Sequence, residues 1–410
     1  MRINNNNFQK NSNISRIIEE IWKKSKISRI DIARELNLYR STVSNIINSL
    51  LDNKIILETE EGVSLPQGGR KPIYLSMNPQ FGCIIGIEIQ PHNYRSVAVN
   101  LFGDMLFSKE GTIPEDISDD DNHEKAFVSI IDWIMLQIAS EIKDLQLPPL
   151  GICFGIPGIV NVDQGIIIRS DPFFLKNYDF SKQFDMRYNL PVLIENDANC
   201  CAWLQLTANR QSNLRDFISV LAEYHTEQTL PKGQDKKRAG MGVGLAIALE
   251  GKVRYGKNYG MGEFISISWN EEQLGQTGLP DEVMKNTNED DECFTQWGID
   301  LCNSLTLFIP LIAPEKLFIH GLHGHKTQLL EKIAATKVPQ LQKILEITNC
   351  TLVISDDTNY EIALGAASMF LQKLFSVPDM NEVDSQSRFD WDAVFEIAHR
   401  KNNTATVVSF

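Results

Sequence analysis

The sequence predicts an α/β protein in two parts: a winged helix-turn-helix head, then a larger body of two α/β lobes with a cleft between them. Three observations carry that expectation. Residues 28–51 read as two short amphipathic helices joined by Asn37-Leu38-Tyr39, and a polar, Gly-containing hairpin follows at 55–75. From Phe81 onward, apolar strand-like runs alternate with helical stretches, and that series occurs twice. The charge is split as well: residues 1–80 hold 12 basic and 8 acidic side chains, whereas the remainder holds 27 and 45. A basic head on an acidic body fits a nucleic-acid-binding module fused to a small-molecule domain.

At 410 residues the chain exceeds one ordinary core. Boundaries are expected at 1–78 for the head, 79–195 for the first lobe with a returning helix near 357–375, 196–356 for the second lobe, and 376–410 for a tail. No window approaches 18 uninterrupted apolar residues, and the Asn-rich start (Asn4 to Asn7) lacks an apolar export core. The cysteines at 83, 153, 200, 201, 293, 302 and 350 show no Cys-x-x-Cys spacing, which suits buried thiols in a reducing compartment. A cytoplasmic location with no membrane partner is expected.

In the head, Ser28 is placed to cap a helix, with Asp31 as its capping-box partner. Ile30, Ile32, Ala33 and Leu36 supply that helix with apolar side chains. The next helix carries Val43, Ile46, Ile47, Leu50 and Leu51 on one stripe. Its other face presents Arg40, Ser41, Thr42, Ser44, Asn45 and Asn48, short polar groups suited to base edges and phosphates in a major groove. Tyr39 stands where a Ser or Thr cap is usual. An earlier helix over 14–24 adds Ile17, Ile18, Ile21 and Trp22 to the same core. Strands at 55–57 and 73–75 flank the wing, where Gly68-Gly69 presents Arg70 to a minor groove and Lys71 to a phosphate. The expected partner is double-stranded DNA, through Arg40, Ser41, Thr42, Asn45, Arg70 and Lys71. A three-helix protein-interaction module is the alternative.

The body reads as an antiparallel meander (83–89, 96–100, 104–107), a helix over 127–145 and a buried strand at 150–156. Strands at 192–194, 217–221, 242–249 and 316–320 follow, with helices near 198–208 and 298–312. Several short motifs sit in that frame: Gly155-Ile-Pro-Gly-Ile-Val-Asn161, Ile194-Glu-Asn-Asp-Ala-Asn199, Gly240-Met-Gly-Val-Gly-Leu245 running to Gly262-Glu263, Ile319-His-Gly321 and Ala363-Leu-Gly-Ala-Ala367. With the winged head and Gly68-Gly-Arg-Lys-Pro72 in front of them, these motifs make the chain resemble the ROK family of sugar kinases and sugar-responsive repressors over residues 10–375. The resemblance implies an actin-like, hexokinase-like (ribonuclease H-like) two-lobe body, assembled as a dimer or tetramer.

It also shows what is altered. The family kinases cradle ATP phosphates on an Asp-x-Gly-Gly-Thr turn; here the residues are Glu88-Ile89-Gln90-Pro91-His92, without glycine and with a proline that has no N–H to offer. The expectation is a body that is not an enzyme. Gly240-Met-Gly-Val-Gly244 reads as a tightly packed strand. Asp197 matches the family's catalytic base; without a triphosphate site, Asp197, Asn196, Glu263 and Gly158 are expected to hold a sugar or sugar phosphate. A polar turn that merely caps the following helix is the competing reading. The family's sugar contact is altered to Asp171-Pro-Phe-Phe-Leu175, and Ser266 stands where a zinc-binding His would be, with no Cys cluster after it. No metal or cofactor is therefore expected.

Residues 270–292 read as a solvated acidic loop, His320, His323 and His325 as another solvated loop, and Lys232–Arg238 as a surface hairpin. Phe389, Trp391, Val394, Phe395 and Ile397 predict a short tail helix packed on the body. The functional expectation is a sugar-sensing regulator of transcription, acting as a repressor on a palindromic operator. The alternatives are a carbohydrate kinase with a DNA-binding head and a regulator that has lost its sugar.

Overall fold

The structure, a computed structural model, describes residues 5–24, 26–61, 71–118, 122–184, 187–188, 190–225, 239–271, 275–356, 359–376, 391 and 394–396. The head begins with α1 (Asn5–Lys24), β1 (Ile27–Ser28), α2 (Arg29–Glu35) and α3 (Arg40–Asp52). Antiparallel β2 (Ile56–Glu61) and β3 (Ile73–Met77) then complete a sheet of order β1-β3-β2. Ser28 caps α2 as its sequence suggests, accepting from the Asp31 amide at 3.3 Å and donating to its carboxylate at 2.6 Å. Val43, Ile47 and Leu50 of α3 pack with Ile17, Ile18 and Ile21 of α1 in the apolar core. Ile30 departs from expectation and is 55% exposed, whereas Ile32 is fully buried. Two positions along a helix lie about 200° apart, so the pair cannot face one core. The helix expected over 14–24 starts earlier, at Asn5.

The first lobe contains β4 (Cys83–Ile89), β5 (Asn93–Val99), β6 (Met105–Thr112), α4 (Glu115–Ser118), α5 (His123–Asp144) and β7 (Pro149–Ile156). A small antiparallel sheet follows, β8 (Ile159–Asn161), β9 (Ile166–Ser170) and β10 (Leu175–Asp179), then α6 (Phe180–Phe184), β11 (Val192–Asn196) and α7 (Asp197–Ala208). The second lobe is built from β12 (Phe217–His225), β13 (Gly240–Leu249), β14 (Lys252–Arg254), α8 (Asp281–Asn286), α9 (Asp291–Ile312), β15 (Lys316–His320), α10 (His325–Thr336), α11 (Pro339–Thr348) and β16 (Thr351–Ile354). The chain returns to the first lobe as α12 (Glu361–Phe375), which packs on β4, β7 and α7.

Each lobe holds a five-stranded sheet, of order β11-β7-β4-β5-β6 in the first and β14-β13-β12-β15-β16 in the second. In both, a three-stranded antiparallel meander donates its first strand to a parallel run of three. Close approach of α12 explains two glycines. A Cβ on Gly86 would overlap the Ala363 carbonyl, and one on Gly365 would overlap the Cys200 carbonyl. Gly240 to Gly244 lie in β13 as a packed strand, with Gly244 against Ala198.

Three expectations for the body are corrected. Residues 270–292 are not simply a solvated loop: they include α8, the start of α9 and a segment bound into the second lobe. His320 is fully buried at the end of β15, its Nδ1 2.7 Å from Glu361 Oε1, while His323 and His325 are exposed. The buried position follows from β15 being a central strand covered on both faces. Trp391 of the tail packs against the head as well as the body: it is buried, and its indole donates to Ser15 Oγ of α1 at 3.0 Å. Val394 is buried and the Phe395 ring lies tilted beside Trp391, while Phe389, Ile397 and Lys232–Arg238 lie outside the described residues. No helix among the described residues is long and apolar enough to cross a membrane.

Candidate functional site

The polar face of α3 is where the sequence places it. Arg40, Ser41 and Asn45 are exposed and Thr42 is half-buried. Tyr39 occupies the N-cap position without a side-chain cap, so the first-turn amides of α3 keep their donors. Asn48, further along, is engaged by Arg29 at 2.8 Å, and Arg29 also pairs with Glu58 of β2 at 3.0 Å. Arg29 thus ties the later turns of α3 to β2. Lys71 is exposed at the base of the wing. Arg70, with Gly68 and Gly69, lies outside the described residues.

In the body, Gly158, Asn196, Asp197 and Glu263 line a single cavity of about 430 Å³ in the cleft. β11 delivers Asn196 to the N-terminus of α7, where its Oδ1 accepts from the Asn199 amide at 3.0 Å. The Asn196 amide donates to the Gly158 carbonyl and to Asp197 Oδ1, each at 2.9 Å. Asp197 Oδ1 also accepts from the Ala198 N–H at 2.8 Å. Capping and cavity lining are thus performed by the same residues. Gly158, at φ 142°, sits so close to Arg169 and Ser170 that a Cβ would collide with backbone. Burial, and after it the charge of Glu223, pushes the Asp197 carboxyl well above the ordinary carboxylate range.

Glu263 bridges to Gly244 of β13 and is exposed toward the cavity. Its segment is held by side chains that sequence reading overlooked. Gln276 mimics a neighbouring strand, donating to the Val243 carbonyl at 2.7 Å and accepting from the Val243 N–H at 2.8 Å. Ser266, Ser268 and Thr277 form a hydroxyl chain (3.0 and 3.2 Å) that ends on Asp300 at 2.7 Å. Arg169, Asp171 and Tyr259 also line the cavity. A strand-like amide pair leaves no periodic trace, which is why Gln276 was invisible among its acidic neighbours.

The lobes meet through an apolar seam, with Ala202 and Leu206 of α7 against Phe217, Ala246 and Val253, and through polar contacts. Buried Glu195 of β11 accepts from Tyr255 at 2.7 Å, Trp203 at 2.9 Å, Asn199 at 3.1 Å and the Asn196 amide at 2.8 Å. Tyr259 donates to Asp163 at 2.6 Å. A second cavity, of about 360 Å³, opens at the β4–β5 turn. Here Glu88 is buried and bound to Arg95 at 2.8 Å. Burial and the facing Glu223 outweigh Arg95 and push the Glu88 carboxyl up to about 8. The turn itself is closed by Gln90 N–H to Asn93 O at 2.9 Å.

The architecture defines a class: a winged helix-turn-helix joined to a two-lobed α/β body whose cleft ends in a capped helix. Residues 10–56 match the winged helix-turn-helix DNA-binding family and residues 110–223 match the ROK family. The chain is similar to the xylose repressor of Staphylococcus xylosus, 30% identical over 288 residues that cover 69% of this chain and 65% of that one. The xylose repressor of Lactiplantibacillus pentosus is 31% identical over 215 residues, 52% of each chain. The matched stretches thus span between half and two thirds of these relatives. A crystal structure described as a ROK family transcriptional regulator, homologue of the E. coli Mlc protein, shares the fold at TM-score 0.65 and 18% identity, covering 95% of this chain and 100% of that one.

Proposed function

We propose that this protein is a DNA-binding transcriptional repressor whose body senses a sugar or sugar phosphate and transfers no phosphoryl group. The observation that carries the reading is the course of α7. Its N-terminus holds Asn196 and Asp197 in the cleft cavity. Just past its C-terminus, the Arg210 guanidinium lies 5.1 Å from the ring centroid of Trp22 in α1, and Trp22 packs on Phe375 of α12 at 5.1 Å. A helix of this length spans about 18 Å, so a single rigid element joins ligand cavity to head.

In this reading Asp197 and Glu263 accept hydroxyls of the effector, Asn196 holds Asp197 in place, and Gly158 makes room beside the Arg169 strand. Occupancy changes how the second lobe sits on the first, and α7 passes the change to α1. A homodimer would set two α3 helices in successive major grooves of a palindromic operator, with half-sites about one or two turns apart. An effector that favours the non-binding arrangement by a few kcal/mol suffices to switch occupancy. The names of the repressor relatives support the sugar class. The β4–β5 turn supports the absence of phosphoryl transfer, because Pro91 offers no N–H and residues 88–92 hold no glycine to let the backbone approach a phosphate closely.

The test is a DNA selection with the full chain, followed by titration of the selected duplex with a panel of sugars and sugar phosphates. A palindromic consensus and release of DNA by one panel member are expected. Failure to enrich any sequence would defeat the DNA reading. Sugar-dependent ADP release abolished by Asp197→Asn would establish a kinase instead.

A further inference from the structure

The cavity at the β4–β5 turn holds no ligand in the reading above, and its chemistry is unusual for its place. Both lobes and the returning helix line it: Glu88 and Arg95 from the first lobe, Glu223 and Lys326 from the second, and Glu361 from α12. A cavity for phosphates offers unspent N–H groups and cations. Here both cations are paired, although the Arg95 Nε–H and His92 Nε2 are buried without a hydrogen-bond partner. Arg95 is bound to Glu88 at 2.8 Å, and Lys326 to Asp291 at 2.9 Å. Glu361 is likewise occupied, by His320 at 2.7 Å and the Gly321 N–H at 3.2 Å.

Acceptor capacity is also left over, on Glu88 and on Asn93. Glu88 is 1% exposed, and its Oε2 is a buried oxygen with no hydrogen-bond partner. Glu223 faces it from β12 and accepts from the Gln90 amide at 3.3 Å. An unsatisfied buried acceptor is costly, more so when its group is ionised, and such an orphan calls for a donor supplied from outside.

We infer that the cavity between the β4–β5 turn and β12 is a binding site for a small organic ammonium ion, held between Glu88 and Glu223. An ammonium group has three donors, no acceptor and a positive charge, the complement of two facing carboxyls short of donors. A metal ion fits less well, since no three His, Cys, Asp or Glu side chains among the described residues are grouped to hold one. The upward push on both carboxyls comes first from burial and is opposed by Arg95, and an arriving ammonium takes the place of the proton that burial favours. One carboxyl comes from each lobe, so the ligand also draws β4 and β12 together. The two cavities share Leu221, Glu223, His225 and Met241, which places the ammonium beside whatever occupies the Asp197 cavity.

The probe is 1,4-diaminobutane, titrated calorimetrically into the full chain at fixed ionic strength, with 1,4-butanediol and inorganic pyrophosphate alongside. Saturable binding of the diamine alone is expected, weakened at least tenfold in Glu88→Gln and, separately, in Glu223→Gln. Glu223 is only half-buried, so its variant carries the test if Glu88→Gln does not fold. No saturable heat with the diamine, equal affinity in the folded variants, or saturable binding of pyrophosphate would each overturn the inference. The probe bears no hydroxyl and no DNA is present, so these outcomes leave the repressor reading to its own experiment.

Discussion

The two lobes share a sheet topology and differ in what they are joined to. The first lobe is fused to the head: one apolar cluster runs without a break from Ile14, Ile17 and Trp22 through β4, β7 and α12 to Trp391. The second lobe has a core of its own, centred on Trp297, Leu301, Leu305 and Leu317. It meets its neighbour largely through α7 and through polar links, Tyr255 to Glu195, Tyr259 to Asp163 and Gln90 to Glu223. That seam holds a smaller apolar cluster, Ala202 and Leu206 of α7 with Phe217, Ala246 and Val253, beside buried polar links. The head therefore forms one body with the first lobe, and any hinge lies at the seam with the second.

Breaking the fused side has the largest expected effect. Trp22→Ala removes the ring between Phe375 and Arg210 and should lower unfolding stability by about 3–5 kcal/mol, read as a shifted denaturation midpoint. A shift below 1 kcal/mol would show that the head is not welded to α12. Next comes the surface that travels with it: Arg40→Ala and Asn45→Ala should each weaken binding to a selected duplex by about 1–3 kcal/mol and leave the unfolding midpoint in place. Loss of folding instead would mean these side chains support the head rather than read DNA.

At the seam, Tyr255→Phe deprives buried Glu195 of one donor. A loss of about 1–3 kcal/mol is expected, together with an altered effector response. Glu88 adds a pH signature. Its folded value of about 8 lies above the ordinary 4.5, so the folded protein holds the extra proton between these limits. Stability should fall as pH rises from about 5 to about 8, with a shallower slope in Glu88→Gln. Equal slopes would show that Glu88 titrates normally. The smallest effect belongs to Ile30→Ser, within about 0.5 kcal/mol of the parent because the side chain faces solvent.

The fused side was also the more legible in sequence. Val43, Ile47 and Leu50 announce their burial through spacing, and Ser28 with Asp31 announces a cap, because both rules act over one or two turns. Ile30 misled because a seven-residue helix contains too few turns to separate a stripe from its neighbours. Asn196, Asp197 and Glu263 were recognised by motif, yet the supports of their cavity were not. Gln276 acts on Val243 from 33 residues away, and His320 meets Glu361 across 41, distances that only the topology closes. Arg210 offered no pattern at all, since its partner Trp22 belongs to a different domain.

The indole of Trp391 on Ser15 joins residues 376 positions apart. During synthesis, α1 therefore leaves the ribosome long before the residue that completes its packing exists. A chain cut short before residue 391 would lack the indole that covers α1, so its head would sit on a support missing one buried ring and one hydrogen bond.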